Sequence, residues 1–427
     1  MGRVTKGVGT AMAKKSVRDL NVRGRRVLIR ADLNVPLDKE QNVSDDRRIR
    51  AFLPTLQHVL EGGGRAIVMS HLGRPTGDPA ADAAFSLRPV ARNVEELLGR
   101  PVKFVEDCVG GPVSTAVRSL DDGEVLLLEN LRFHKAETII DKAAKNPDKK
   151  LTPQQEAVRK EFAQRLAAHG EVYVNDAFGT CHRNHVSMYD VPQLLPAGQR
   201  VVGFLVEKEL QFLGQALEAP KRPFIAVLGG AKVSDKIGVI KNLLHRVDHI
   251  LIGGAMTYTF WAAQGRGVGR SLCEQDKLDL ARGLLAEGKR KIVLPVDSVV
   301  APELREGVET RVVDGDIPAD QMGLDIGPKT LQFFGQYLSR AKTIIWNGPV
   351  GAFETEPFQV GTFEIAHLIA SATDRGAVTV IGGGDSAAAV EQAGLAERMT
   401  HISTGGGASL EFLEGRPFET LSVLDDA

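Results

Sequence analysis

The 427-residue chain is 43% hydrophobic and 25% charged, the balance of a soluble globular protein with room for two or three cores, two being the simpler division. Lys plus Arg (53) nearly cancels Asp plus Glu (54), which excludes a global positive field for nucleic acid or an anionic membrane and leaves any anion site to a local cluster. No apolar run approaches the roughly 20 residues of a bilayer span, and three scattered cysteines, Cys108, Cys181 and Cys273, point away from a disulfide scaffold and toward a reducing, cytoplasmic compartment.

Residues Met1 to Lys15 are basic but lack the apolar segment of a signal peptide, so they read as a frayed tail. Short β-branched or leucine-rich runs follow: Arg26–Arg30, Arg65–Met69, Glu124–Leu128 and Glu171–Val174 read as buried parallel strands. Between the first two, Ile49, Leu53, Leu56 and Leu60 recur at helical spacing and the glycines at 62–64 stop the helix, which makes a βαβ unit. Glu137 to Pro153, charged and bounded by proline, reads as a solvated excursion.

Val201 to Leu217 carries apolar residues on a helical period and predicts a rigid helical connector. The strand grammar then restarts with Pro223–Leu228, Asp248–Ile252, Lys291–Leu294, Lys342–Trp346 and Ala377–Ile381, predicting a second sheet.

In an open parallel sheet, ligands bind beyond the carboxyl ends of the strands. In the first half those positions hold Asp32 and Asn34, His71 and Arg74, Arg132, and the run Asn175–His185 with His182 and Arg183, while Arg48 opens the following helix. Each alone suits a solvated loop. Together, four arginines on one predicted edge can fork onto phosphate or carboxylate, and Asp32 with Asn34 suits a sugar-like or glycerate hydroxyl, or simply forms an Asx turn. Cys181, His182 and His185 have metal-ligand chemistry, but the arginine between the histidines argues against an ion there.

The second half has glycine turns instead. Leu228–Lys236 follows a strand and predicts a helix start that puts Lys232 and Lys236 beside unpaired backbone N–H groups. Gly382–Ser386 repeats the pattern, with Asp385 either an N-cap or a Mg²⁺ ligand beside polyphosphate. Ile252–Ala255 and Trp346–Pro349 offer backbone surfaces for a base, and Glu354 an acceptor for a ribose hydroxyl. Gly382–Ala387 also fits a relaxed dinucleotide fingerprint, but Thr404–Gly407 stands where the acidic ribose partner is needed, which weakens a nicotinamide dehydrogenase. The P-loop pattern is absent.

These motifs together resemble the phosphoglycerate kinase family: RADLNVP (Arg30–Pro36), SHLGRP (Ser70–Pro75), LLENLRFH (Leu127–His134), NDAFGTCHR (Asn175–Arg183), LGGAKVSDK (Leu228–Lys236), WNGPVGAFE (Trp346–Glu354), GGGDS (Gly382–Ser386) and STGGGASLE (Ser403–Glu411). The departures are Ala31 for valine, Ala255 for a third glycine, Val350 after WNGP, and Ser386 for threonine, none of which removes a charge. The resemblance implies an α/β fold of two Rossmann-like three-layer domains with parallel sheets joined by a helical hinge. Its domains would be 1–200 for phosphoglycerate, 201–217 as hinge helix and 218–410 for nucleotide, with 411–427 packing back onto the first.

The implied reaction is reversible phosphoryl transfer from 1,3-bisphosphoglycerate to ADP, in glycolysis and gluconeogenesis, by a cytoplasmic, hinge-bending monomer using Mg²⁺. A dehydrogenase and an inactive anion-binding scaffold are the competing readings. The resemblance assigns Asp32, Asn34, Arg48, His71, Gly73, Arg74, Arg132, His182 and Arg183 to the acidic substrate. It assigns Gly230, Ala231, Lys232, Lys236, Gly253, Gly254, Gly323, Asn347, Glu354, Gly383, Gly384, Asp385 and Ser386 to the nucleotide. Arg48, Lys232, Lys236 and Gly384 would be catalytic, and Asp385 would hold the metal.

Overall fold

Apolar runs bounded by turn residues become the inner strands of two parallel sheets, because strands covered on both faces can be apolar throughout. The structure, a computed structural model, describes residues 13–427 except Pro147. The expected frayed tail lies outside this range for residues 1–12. Lys14 and Lys15, however, are pinned: Lys15 N–H donates to Asp425 O at 2.9 Å, Lys15 O accepts from Val202 N at 3.0 Å, and Lys14 pairs with Asp426 at 2.6 Å.

The first sheet has the order β3-β4-β2-β1-β5-β6, all parallel, from β1 (Arg26–Ala31), β2 (Arg65–Met69), β3 (Lys103–Val105), β4 (Val125–Leu128), β5 (Val172–Asp176) and β6 (Arg200–Val202). The chain leaves β1 in one direction to build β2 to β4 and returns to its other side for β5. The switch point therefore lies between the carboxyl ends of β1 and β5, where a doubly wound sheet opens a crevice.

The second sheet, β15-β14-β13-β7-β8-β9, is also parallel and places β7 (Phe224–Leu228) beside β13 (Thr343–Asn347). Its other strands are β8 (His249–Ile252), β9 (Ile292–Val293), β14 (Val378–Gly382) and β15 (His401–Ile402). Its switch point lies between β7 and β13. A third, antiparallel sheet was not foreseen: β10 (Asp297–Ala301) pairs with β11 (Arg311–Asp314) and β12 (Met322–Ile326). Tyr258, Trp261, Val300 and Ile317 form a small core there.

The described residues divide into two compact units: first, residues 13–210 together with Phe418–Ala427; second, Gln211–Pro417. The boundary falls inside the helix Phe204–Glu218. That helix starts later than its periodicity suggests, because Val201 and Val202 are β-branched and complete β6, and Gly203 ends it. Residues 411–417 stay with the second unit, where Asn242 Nδ2 donates to Leu413 O at 2.8 Å.

The helix Phe204–Glu218 is anchored at its start by Asp176, the last residue of β5. Asp176 Oδ1 accepts from Leu205 N at 2.9 Å and Val206 N at 3.2 Å, a carboxylate satisfying the otherwise unpaired amides of a helix N-terminus. Burial nevertheless pushes its carboxyl up to about 7, with the Thr55 side chain and then the two amides pulling the other way. The folded chain therefore keeps this proton to higher pH than the unfolded chain, whose aspartates titrate near about 4. The contribution to stability is largest below that value and is lost as pH rises toward about 7. Asp176→Asn keeps the Oδ1 acceptor and never ionises, so its melting temperature relative to wild type should be higher at pH 8 than at pH 5. A difference independent of pH would refute the assignment.

Candidate active site

At the first switch point, β1 ends in Ala31 and delivers Asp32 to the sheet edge, buried to 5% exposure. Arg48 lies in the first turn of the helix Arg47–Glu61 and donates from Nη1 to Asp32 Oδ2 at 2.6 Å, with about a third (32%) of its side chain still in solvent. Asp32 thus orients a guanidinium whose remaining donors are available. Three loops are tied together beside it: Gly73 N donates to Asn34 Oδ1 at 2.8 Å, and Arg132 Nη1 donates to Gly73 O at 2.7 Å. Arg132 sits in a 3₁₀ turn whose amide is held by Asn130 Oδ1 at 3.0 Å.

Burial, then the neighbouring Arg30, pulls the Arg132 guanidinium down to about 10. Positive charge is crowded there, a condition that an incoming anion would relieve. His71 is buried and held well below the usual histidine range, first by desolvation and then by Arg30, Arg132, His185 and Arg48. It is neutral at physiological pH. Arg74 and Arg183 are exposed on the loops after β2 and β5, and His182 is half-buried beside Arg183. The structure therefore joins Asp32 to Arg48, Asn34 through Gly73 to Arg132, and His71 to Arg30, but leaves Arg74 and Arg183 outside these hydrogen bonds.

One expectation changes here. Glu137, placed by its sequence in a solvated excursion, is fully buried and accepts from Ser187 N at 2.9 Å. Arg30, Glu137 and Ser187 were all missed as site residues. The available signal was Arg30, a charge inside an otherwise apolar strand. Among the described residues, Cys181, His182 and His185 do not form a metal-capable grouping; the grouping of three such side chains is Asp107, Cys108 and His134. Its histidine is already bonded to Asp107 at 2.7 Å, and its thiol, pushed well up by burial, donates to Glu129 O at 2.9 Å.

At the second switch point the loops after β7 and β13 touch. Gly229 N donates to Asn347 O at 3.0 Å and Gly230 N to Pro349 O at 3.0 Å, and a Cβ on Gly229 would lie 2.0 Å from Pro349 O. Only glycine permits that backbone approach. The helix that this loop opens begins at Ile237, with Lys236 at its N-cap position and Lys232 four residues earlier in the loop. Lys236 Nζ donates to Asn347 Oδ1 and its pKa is lowered, mainly by burial, against the pull of Asp235, Asp385 and Glu414. Lys232 and Ala231 are exposed.

Ser386 Oγ accepts from Gly348 N at 2.6 Å, so serine supplies here the hydroxyl that threonine would. Gly383, with φ at +93°, is the N-cap of the helix Gly384–Gln392. Asp385 is therefore not the cap; it lies in the first turn with its carboxylate exposed. Gly254 N donates to Val350 O at 2.8 Å, and Gly253 packs on the Val350 side chain. Glu354 is exposed on the loop after β13, and Gly323 lies in β12 under the Tyr258 ring, its N–H donating to Ser271 Oγ at 2.9 Å. No helix among the described residues is long and apolar enough to cross a membrane.

The family model described as phosphoglycerate kinase matches residues 17–416. The chain belongs to the phosphoglycerate kinase family. It is 50% identical over 419 residues to the phosphoglycerate kinase of Chlorobium phaeovibrioides, covering 97% of this chain and 100% of that one. The phosphoglycerate kinase of Chlorobaculum tepidum is 48% identical with the same coverage. Among solved structures, phosphoglycerate kinase from Coxiella burnetii superposes with a TM-score of 0.83 at 36% identity, covering 96% of this chain and 98% of that one. The Pyrococcus horikoshii phosphoglycerate kinase gives 0.78 at 32%, again covering 96% and 98%.

The activity is that of a phosphoglycerate kinase, a phosphotransferase with a carboxyl group as acceptor that acts in glycolysis on small-molecule substrates and ATP or ADP. The dehydrogenase and silent-scaffold readings give way to it.

Proposed function

We propose that the β1/β5 edge binds 3-phosphoglycerate and its acyl phosphate while the β7/β13 edge binds the nucleotide. The observation that carries this is the pairing of a cation-rich edge, Arg48 on Asp32 and Arg132 on Gly73, with a second edge of backbone amides and a half-buried lysine, Lys236. Asp32 and Asn34 would orient the glycerate, with His71, Arg74, Arg132, His182 and Arg183 around its anionic groups. Gly230, Lys236, Asn347, Gly383 and Ser386 would hold phosphates, and Glu354 the ribose.

The acceptor in the direction of ATP consumption is a carboxylate, already ionised at neutral pH, so the reaction needs no general base. Arg48 and Lys232 would neutralise the oxygens of the transferring group, the donors that phosphoryl transfer demands. Asp385 fits a divalent cation: an exposed carboxylate in the first turn beyond Gly383, close enough to Lys236 to affect its charge. Bound Mg²⁺ would supply neutralisation of nucleotide phosphate charge. Asp385, Lys236 and the amides after Gly383 would then orient the nucleotide.

The coupled assay, ATP with 3-phosphoglycerate linked to NADH oxidation, separates the two edges. Arg132→Ala should raise KM for 3-phosphoglycerate about 10-fold or more with KM for MgATP little changed, the loss of a charge-assisted hydrogen bond; equal changes in both would refute the division. We further propose a cytoplasmic monomer in which the units close about the Phe204–Glu218 helix when both substrates bind. Small-angle scattering should show compaction only with both present, and an unchanged radius would dismiss closure.

A further inference from the structure

Arg30 is fully buried near the end of β1. A guanidinium can be held there only if its donors and its charge are answered. Nε donates to Ser187 Oγ at 2.9 Å, Nη1 donates to Ala31 O, and Nη2 faces His71 Nδ1 at 3.0 Å. The Ser187 hydroxyl in turn donates to Glu137 Oε1 at 2.5 Å, and Ser187 N donates to Glu137 Oε2 at 2.9 Å. Glu137 and Ser187 are as buried as Arg30. The counter-charge of Arg30 therefore stands one hydroxyl away. The relay stitches together β1, the loop after β2, the segment after β4 and the helix Val186–Gln193.

Arginine remains protonated and offers no acceptor, so at the contact with His71 it must be the donor. His71 Nδ1 then carries the lone pair, and the ring proton resides on Nε2. Reversing the tautomer would set two N–H groups against each other inside the protein. We infer that Arg30, braced by Ser187 and Glu137, is a positioning residue that fixes His71 as a neutral Nε2–H donor for the anionic substrate. This rests on the reading of His71 as a substrate contact. Burial and the surrounding cations, which hold His71 well below its usual range, agree with the neutral ring. In this assignment His71 contributes a directed hydrogen bond, while Arg48 and Arg132 contribute charge.

The test uses the full-length protein and two variants that conserve net charge. Arg30→Lys keeps the cation but loses the planar fork that reaches three acceptors at once. Ser187→Ala removes only the bridging hydroxyl. Imidazole ¹⁵N–¹H spectra of the ligand-free wild type should show His71 as a single neutral Nε2–H tautomer, and this signature should be lost or mixed in both variants. KM for 3-phosphoglycerate should rise about 10- to 100-fold, the loss of one directed hydrogen bond to an anion, while KM for MgATP stays within about twofold.

A wild-type His71 protonated on Nδ1, or an unaltered single tautomer in both variants, would overturn the inference. His71→Gln separates it from the reading beneath it. Loss of 3-phosphoglycerate affinity in that variant supports the contact; unchanged affinity overturns the substrate role of His71 even where the spectra establish the tautomer. If Arg30→Lys does not fold, the wild-type spectrum and Ser187→Ala decide the matter.

Discussion

Arg48→Ala should lower kcat by at least about 10²-fold, the scale of losing one preorganised donor to the charge that develops in a transition state. Arg48 is singled out by how it is held. Asp32, itself buried, takes Nη1 at 2.6 Å and aims the fork, while about a third (32%) of the side chain remains open to a ligand. A structural ion pair would be closed on both sides. Arg48→Lys retains the charge but not the fork, so it should recover only part of the rate. Steady-state kinetics of both variants, with circular dichroism to verify folding, are sufficient; near-normal turnover in Arg48→Ala would remove it from the chemistry.

Lys236→Met should reduce kcat/KM for MgATP by about 10²-fold or more, again on the scale of one lost electrostatic contact. A lysine with its pKa lowered by burial is an ammonium kept in a place that disfavours it. Its contact with Asn347 leaves it at the end of β13, beside Gly383 and the start of the helix Gly384–Gln392. Phosphates arriving there would meet both the ammonium and the unpaired amides of a helix N-terminus. Equilibrium binding of MgADP should weaken in parallel. Full nucleotide affinity in the variant would return Lys236 to a purely structural role.

Particular residues show where sequence reasoning reached and where it stopped. Asp32, Asn34 and Arg132 were legible because each follows an apolar run long enough to identify a strand, and Arg48 because it opens the helix after the first of them; parallel sheets put such positions on one edge. The first residue of the helix after Leu228–Lys236 was not legible, since helix starts depend on which amides find partners; here Val233 to Lys236 forms a turn first, with Lys236 N donating to Val233 O at 2.9 Å, and the helix begins at Ile237. Strands β3, β6 and β15 are short, two or three residues each. Such runs carry too little periodicity to be distinguished from loops or helix starts.

Burial and partnership are decided at a higher level than spacing. Glu137 belongs to a charged, proline-bounded stretch, and nothing local distinguishes it from the solvated carboxylates around it. Only folding brings Ser187, fifty residues later, against it. Arg30, within an apolar strand, was visible as an anomaly, but its fork needs Ser187, Ala31 and His71 to have meaning.

The sequence by itself determined the two βαβ series, the inventory of cations and glycine turns, and the family they belong to, because strand periodicity and post-strand chemistry are local properties of the chain. Tertiary structure alone decided which of those groups converge. Strand order located the switch points at β1/β5 and β7/β13, the return of the chain end set Asp425 and Asp426 against Lys15 and Lys14, and desolvation shifted the proton affinities of His71, Asp176 and Lys236. The physical reason is the same in each case: hydrogen-bond partners and local dielectric are properties of the folded neighbourhood, assembled from residues far apart in the chain.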